Sequence, residues 1–112
     1  MSAITTHVLD VAAGRPAAGI GVILSVRTGE GWRELARAAT DDDGRVAEFP
    51  GAGPLERATY RLRFETGDWL KGTGRQGFWP HVEIAFDVEE PGEHHHVPLL
   101  LSPYGYSTYR GS

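Results

Sequence analysis

Three consecutive histidines, His94, His95 and His96, are the densest group of side chains able to carry chemistry near neutral pH. A neutral imidazole can take up a proton, return it, or bind a metal ion. If this stretch is a strand, His94 and His96 share one face and His95 points to the other. The cluster therefore allows three interpretations: acid–base chemistry in a pocket, surface histidines, or a zinc site to which His7 and His81 add ligands.

Two further motifs resemble ligand sites but lack the context that such sites require. Residues 72–77 match the glycine pattern of dinucleotide-binding proteins, which needs a strand before it and a helix after it. Here a short helix is predicted before it and a strand after it, so we expect a glycine-rich loop. Residues 41–44 suggest a calcium loop, but Ala39 and Pro50 would occupy its first and last ligand positions and carry no carboxylate. We expect a hairpin turn there.

Composition and charge exclude several classes of function. The chain has no cysteine, which rules out thiol catalysis and cysteine-bound zinc, and its net charge of −4 argues against broad nucleic-acid binding. The apolar run at 97–101 is far too short to cross a membrane. Residues 1–7 lack a basic segment followed by an apolar run. We therefore expect a cytoplasmic protein, with a mature periplasmic form as the alternative.

The elements that must position these side chains are predicted to be strands. Apolar residues alternate with polar ones in 20–27, 60–65 and 81–88, a pattern typical of strands with one face on a core. One segment differs: 67–73 is predicted to be a short helix, with Thr66 or Asp68 as its N-cap. The sequence therefore predicts one all-β domain over 1–112, a sandwich of about eight antiparallel strands. The strands are expected at 5–11, 20–27, 32–40, 44–49, 60–65, 81–88, 94–101 and 104–110.

Three segments resemble the 5-hydroxyisourate hydrolase family, the enzyme branch of the transthyretin superfamily. They are Thr-His-Val-Leu-Asp at 6–10, Asp-Gly-Arg at 43–45, and the long ending from 94 to 112. The terminal Tyr-Arg-Gly-Ser at 109–112 is the most specific of them, because it separates the hydrolases from hormone-carrying transthyretins. The family usually has an aromatic residue where this chain has His95.

This resemblance implies a transthyretin-like fold with two four-stranded sheets, and a homotetramer with active sites in the channel where dimers meet. It implies hydrolysis of 5-hydroxyisourate to 2-oxo-4-hydroxy-4-carboxy-5-ureidoimidazoline in urate degradation, without cofactor or metal. His7 and His96 would exchange protons with water and substrate, and Arg45 would stabilise the oxyanion. The substrate-binding residues that the resemblance implies are His7, Arg45, Tyr109, Arg110, Gly111 and Ser112.

Other functions are compatible with the same fold. A transthyretin-like carrier would bind a small ligand in the channel without catalysis, but it has no need for two histidines, an arginine and the terminal tetrapeptide. A structural sandwich with a histidine metal site, or a plain interaction domain, would use fewer of these features. We therefore expect an enzyme that acts on a small molecule and does not bind nucleic acid or membranes.

Overall fold

Two β-sheets pack face to face around a shared apolar core in the computed structural model, which describes residues 3–112. The first sheet has the order β2-β1-β8-β9, with β5 also paired to β1, and the second has the order β4-β3-β6-β7. The predicted two-sheet sandwich with one short helix is confirmed. The elements are β1 (Ile4–Asp10), β2 (Arg15–Pro16), β3 (Gly21–Thr28), β4 (Gly31–Ala39), β5 (Arg45–Val46), β6 (Ala58–Phe64), α1 (Thr66–Gly72), β7 (Val82–Val88), β8 (His95–Ser102) and β9 (Gly105–Thr108).

The alternation in the sequence divides β6 between core and surface. Tyr60, Leu62 and Phe64 are buried in the core, whereas Arg61 and Arg63 lie on the opposite face and pair with Glu83 of β7. Fully burying one large apolar side chain stabilises a fold by about 1.5–3 kcal/mol. A register shift of one residue would expose all three, so the pattern fixes which face of β6 meets the core.

One strand pair departs from the expected antiparallel arrangement. β1 and β8 run parallel, with Ile4 opposite His95 and Asp10 opposite Leu101. Antiparallel neighbours can be joined by a tight hairpin, whereas a parallel pair needs a long crossover. The chain between β1 and β8 includes the whole second sheet and provides that crossover. The other strand pairs among the described residues are antiparallel.

Short elements account for the remaining differences from the predicted boundaries. The first sheet has five strands rather than four because Arg15–Pro16 pairs with the end of β1. The strand predicted at 44–49 is limited to Arg45–Val46, since the chain then turns to bury Phe49 in the core. The predicted N-caps of α1 are wrong: the helix begins at Thr66, and Glu65 precedes it without a capping side-chain hydrogen bond.

The helix α1 lies between β6 and the glycine-rich segment. Leu70 is buried on the inner side of this helix, and the Trp69 indole donates a hydrogen bond to the Ala18 carbonyl. The segment 72–77 follows a helix and precedes β7, as the sequence predicted. No helix within residues 3–112 has the length and apolarity needed to span a membrane.

Candidate active site

The candidate catalytic residues meet on the outer face of the first sheet, the face directed away from the core. Ile4 and Val8 of β1 enter the core, so the alternate residues Thr5 and His7 point outward. Thr5 lies opposite His96 of β8 in the parallel pair. The sheet therefore brings together side chains that are 91 positions apart in the sequence.

Arg45 reaches this face because β5 pairs with the free side of β1. Its Cα partner in the antiparallel register is His7, while Val46 faces Thr6 and enters the core. Cross-strand partners have their side chains on the same face. A two-residue strand is thus enough to set the guanidinium beside the imidazole of His7.

The turn before Arg45 is built on one aspartate and one glycine. The Asp41 carboxylate accepts hydrogen bonds from the Asp43 and Arg45 amides, both 2.9 Å long. Gly44 has φ of +77°, and a Cβ on it would collide with the Val8 carbonyl oxygen. The prediction of a hairpin is wrong, because this turn carries the chain from β4 in the second sheet to β5 in the first.

His7 is anchored by the same turn that carries Arg45. Its Nε2 lies 2.8 Å from the Asp43 carbonyl oxygen. A carbonyl can only accept a hydrogen bond, so Nε2 carries the hydrogen and the neutral ring presents Nδ1 as an acceptor. The orientation of His7 and the position of Arg45 therefore depend on one loop.

His96 is the half-buried member of the group, and its surroundings oppose a positive charge. Burial lowers the pKa of the His96 imidazole below its ordinary 6.5, and the charges of Arg45, His94 and His7 lower that pKa further. A hydrogen bond to the Thr5 backbone raises this pKa and so acts in the opposite direction. The Thr5 hydroxyl lies 2.8 Å from Nδ1 of His96. Because the hydroxyl engages Nδ1, Nε2 is the ring nitrogen left for water or substrate.

A cleft of about 260 Å³ opens beside these groups. Arg45, His96 and the C-terminal residue Ser112 all line it. Ser112 is held there because the Gly111 amide donates a 2.8 Å hydrogen bond to the His96 carbonyl, extending the edge of β8 by one bridge. Three of the sequence-predicted positions therefore share one cavity, and His7 contributes to its electrostatics.

Tyr109 and Arg110 lie outside this cleft. Both line a neighbouring, more apolar cavity of about 250 Å³ between β7 and β8. The Tyr109 side chain is exposed, and the Arg110 guanidinium donates to the Glu93 carboxylate at 3.2 Å. His96 lines this second cavity as well, so within one chain Tyr109 and Arg110 share a cavity with His96 but not with Arg45 and Ser112.

The cleft also contains Thr5 and His94, which were not among the sequence-predicted catalytic positions. The Thr5 hydroxyl also lies 2.8 Å from Nε2 of His94. Strand periodicity could have indicated both residues, because Thr5 stands two positions before His7 and His94 stands two positions before His96, and such residues share a face of a strand.

His95 occupies the opposite face of β8, as the alternation predicted. It is only 4% exposed, and its Nδ1 has no hydrogen-bond partner in the described part of the chain. Across residues 3–112, no group of three or more His, Asp or Glu side chains is arranged to hold a metal ion.

Comparisons with known proteins agree with this fold. The family described as HIUase/Transthyretin matches residues 4–111. A 5-hydroxyisourate hydrolase from Caulobacter vibrioides is 50% identical over 116 residues, covering 100% of both chains. The structure of Klebsiella pneumoniae 5-hydroxyisourate hydrolase superposes with a TM-score of 0.85 at 42% identity, covering 97% of this chain and 98% of that chain.

A transthyretin structure from Sparus aurata superposes equally well. Its TM-score is 0.88 at 28% identity, with 99% of this chain and 97% of that chain covered. A match over nearly the whole sequence, a full-length relative at 50% identity and a shared sandwich lead to one conclusion. This chain belongs to the HIUase/transthyretin family.

Proposed function

We propose that this protein hydrolyses 5-hydroxyisourate in urate degradation. The observation that carries the proposal is the convergence of Arg45, His96 and Ser112 on one cleft, with His7 beside them. A half-buried imidazole with a lowered pKa and a guanidinium that shares its cleft suit hydrolysis better than passive binding. The relatives from Caulobacter vibrioides and Klebsiella pneumoniae carry the same activity in their names.

Opening the substrate ring requires water to be deprotonated, an oxyanion to be stabilised and a ring nitrogen to be protonated. We assign the deprotonation of water to Nε2 of His96, because burial and nearby positive charge keep this imidazole neutral and able to accept a proton. The resulting imidazolium returns a proton to the leaving nitrogen. A positioned acid or base of this kind contributes about 10²–10⁴-fold to the rate.

Arg45 and His7 act on the other reacting atoms. The guanidinium of Arg45 stays charged at every relevant pH and offers planar donors to the oxygen that becomes negative. Nδ1 of His7 accepts a hydrogen bond from water or from a substrate N–H, since its Nε2 is engaged by Asp43. Ser112 lines the same cleft and orients the bound groups.

The proposed assembly is a homotetramer with active sites where the outer faces of two first sheets meet. The first sheet ends at β9 and the second at β7, and within the described chain neither strand has a partner strand on its outer side. Phe78, Tyr104 and Tyr109 are large exposed aromatic side chains next to these edges. In such an assembly Tyr109 and Arg110, which lie outside the cleft of their own chain, would approach the channel. Native mass spectrometry should give four chains of 12.2 kDa, and a monomer would contradict it.

The activity is tested by ultraviolet spectroscopy with substrate made in place. Urate oxidase converts urate to the unstable substrate, and the transient absorbance is followed with and without this protein. We expect faster decay in proportion to the amount of protein added. Decay at the unaided rate, even at high protein concentration, would refute the proposal and favour a carrier that binds without catalysis.

A further inference from the structure

We propose that Thr5 and His94 form a proton relay behind His96. This inference rests on the proposed function, and it concerns two residues that the catalytic assignment does not use. The Thr5 hydroxyl lies 2.8 Å from Nδ1 of His96 and 2.8 Å from Nε2 of His94. The two rings are 6.3 Å apart, so the hydroxyl bridges a gap that direct contact does not close.

The hydrogen-bond inventory of a hydroxyl makes the bridge directional. Thr5 has one hydrogen to donate and lone pairs with which to accept. When Nδ1 of His96 carries a hydrogen, it donates to Thr5, and Thr5 donates to Nε2 of His94. In the reverse state Nε2 of His94 donates to Thr5, and Thr5 donates to Nδ1 of His96. The Thr5 side chain therefore couples the tautomers of the two imidazoles.

Proton transfer through this bridge balances. A proton arrives at Nε2 of His96, and the imidazolium gives its Nδ1 hydrogen to Thr5. The hydroxyl gives its own hydrogen to Nε2 of His94, and His94 loses the hydrogen on Nδ1 to solvent. One proton enters and one leaves, and His96 and His94 return to neutral rings in the opposite tautomers. Rotation of the hydroxyl and exchange with solvent reset the path.

The proposed reaction supplies a proton that must leave. Hydrolysis of a ring amide consumes water and produces a carboxylic acid, which is ionised at neutral pH. One proton per turnover therefore has to pass from the cleft to solvent after the leaving nitrogen has been protonated. Within this group His94 is the exposed member, whereas Thr5 is only 6% exposed and cannot exchange freely.

Charges around His96 favour movement of the proton outward. Arg45 on β5, His7 on β1 and His94 itself face this ring, and Ser112 from the tail lines the same cleft. Burial and the charge of Arg45 lower the pKa of His96, so a proton held there is less stable than one on a hydrated imidazole. Thr5 is thus a positioning residue that selects the tautomer of His96 and gives its proton an exit.

The first test removes the bridging hydroxyl of Thr5 and nearly preserves the volume of the side chain. Thr5→Val should lower kcat about tenfold with little change in KM, a share of what a positioned acid–base group contributes. Thr5→Ser, which restores the hydroxyl, should recover most of that loss. Thr40→Val is the matched control: Thr40 is 5% exposed, and its hydroxyl hydrogen-bonds to the backbone of Ala17 and Ile20, neither of which lines the cleft. It should lower stability but leave kcat unchanged.

A second variant separates proton transfer from packing. His94→Gln should also lower kcat, and increasing imidazole buffer at constant ionic strength should restore it, because a small base can collect the proton at the mouth of the cleft. The double variant should be no slower than Thr5→Val alone. Full kcat in Thr5→Val, or a loss in His94→Gln that buffer does not restore, would overturn the relay.

An NMR measurement tests the bridge between His96 and His94 even if the wild-type protein lacks the proposed activity. In imidazole ¹⁵N spectra, Thr5→Val should shift both the Nδ1 resonance of His96 and the Nε2 resonance of His94, and Thr40→Val should shift neither. Unchanged resonances in Thr5→Val would refute the bridge. If the substrate decays at the unaided rate in the presence of wild-type protein, the proposed hydrolysis is refuted instead.

Discussion

The backbone of Gly111 lies against the imidazole of His96. A Cβ on Gly111 would be 2.5 Å from Cδ2 of that ring and 3.2 Å from its Cγ, while the Gly111 amide donates to the His96 carbonyl. The ring cannot simply turn away, because Thr5 holds Nδ1 on its other side. The glycine of the terminal Tyr-Arg-Gly-Ser is therefore explained by the space that the His96 side chain occupies.

This contact predicts that Gly111→Ala will impair turnover while preserving the fold. The added methyl must displace either the ring or the tail, and a misplacement of about 1 Å in a catalytic group can cost about 10²-fold in rate. The absorbance assay gives the rate, and circular dichroism gives the fold. Gly105→Ala is the matched control, since nothing lies within 4 Å of a Cβ there. Equal rates for the two variants would show that the contact is unimportant.

Removal of the guanidinium should affect chemistry and not folding. Arg45→Ala is expected to lower kcat by at least about 10²-fold, the usual effect of losing one donor to an oxyanion. The Arg45 side chain is exposed, so thermal unfolding should change little. Arg27→Ala, which removes an exposed arginine from the second sheet, should retain normal kcat. Near-normal turnover in Arg45→Ala would remove this residue from the oxyanion role.

The lowered pKa of His96 sets the acidic limit of activity. A base works while it is neutral, so turnover should persist below the ordinary histidine pKa of 6.5 and fall only as pH drops through the lowered value. Arg45→Gln removes one positive neighbour and should raise the pKa of His96, moving its NMR titration to higher pH. The matched variant Arg27→Gln should leave that titration in place. A titration unchanged by Arg45→Gln would contradict the electrostatic coupling.

A partly buried ion pair links the end of β1 to the glycine-rich segment and should contribute to stability. Arg75 donates two hydrogen bonds to the Asp10 carboxylate, at 3.2 and 2.7 Å, and the Asp10 side chain is 5% exposed. Asp10→Asn should lower the free energy of unfolding by about 2 kcal/mol, as expected for a hydrogen bond to a charged group. Urea denaturation measures the change. Glu34→Gln, at the exposed Arg37 pair, should barely alter the midpoint.

The same pair predicts the direction of a pH effect on stability. The Arg75 hydrogen bond holds the pKa of Asp10 below its usual 3.8, despite the opposing effect of burial. The unfolded chain therefore binds a proton at higher pH than the folded chain does. Stability from this pair is complete above the ordinary aspartate pKa and is lost as pH falls through the lowered value. An Asp10→Asn variant with the same acid transition as wild type would contradict this.

Much of the sandwich could be predicted from sequence because its strands have one apolar face. The alternation in β3, β6 and β7 follows directly from that burial and fixes both the elements and the inward residues. The shared face of His94 and His96 was predicted for the same reason. The relative direction of β1 and β8 was not predicted. These strands are parallel because of the route that the chain takes between them, and the residues of a strand do not encode that route.

The meeting of Arg45 with His7 needed the tertiary structure. Their pairing involves a strand of two residues and a turn that crosses between sheets, both too short to give a periodic signal. The resemblance supplied these residues, whereas the geometry added Thr5, whose role depends on contacts with His94 and His96. The absence of a cap on α1 was likewise invisible in a sequence that offers two suitable capping residues there.

The parallel neighbours β1 and β8 have a consequence for synthesis of the protein. The first strand leaves the ribosome long before the segment His95–Ser102 that covers one of its sides. Until then its hydrogen-bonding edge on that side is open, and contacts between such distant segments form slowly. Translation that stops early would thus leave both an exposed edge and no His96, so premature products would be inactive and prone to association.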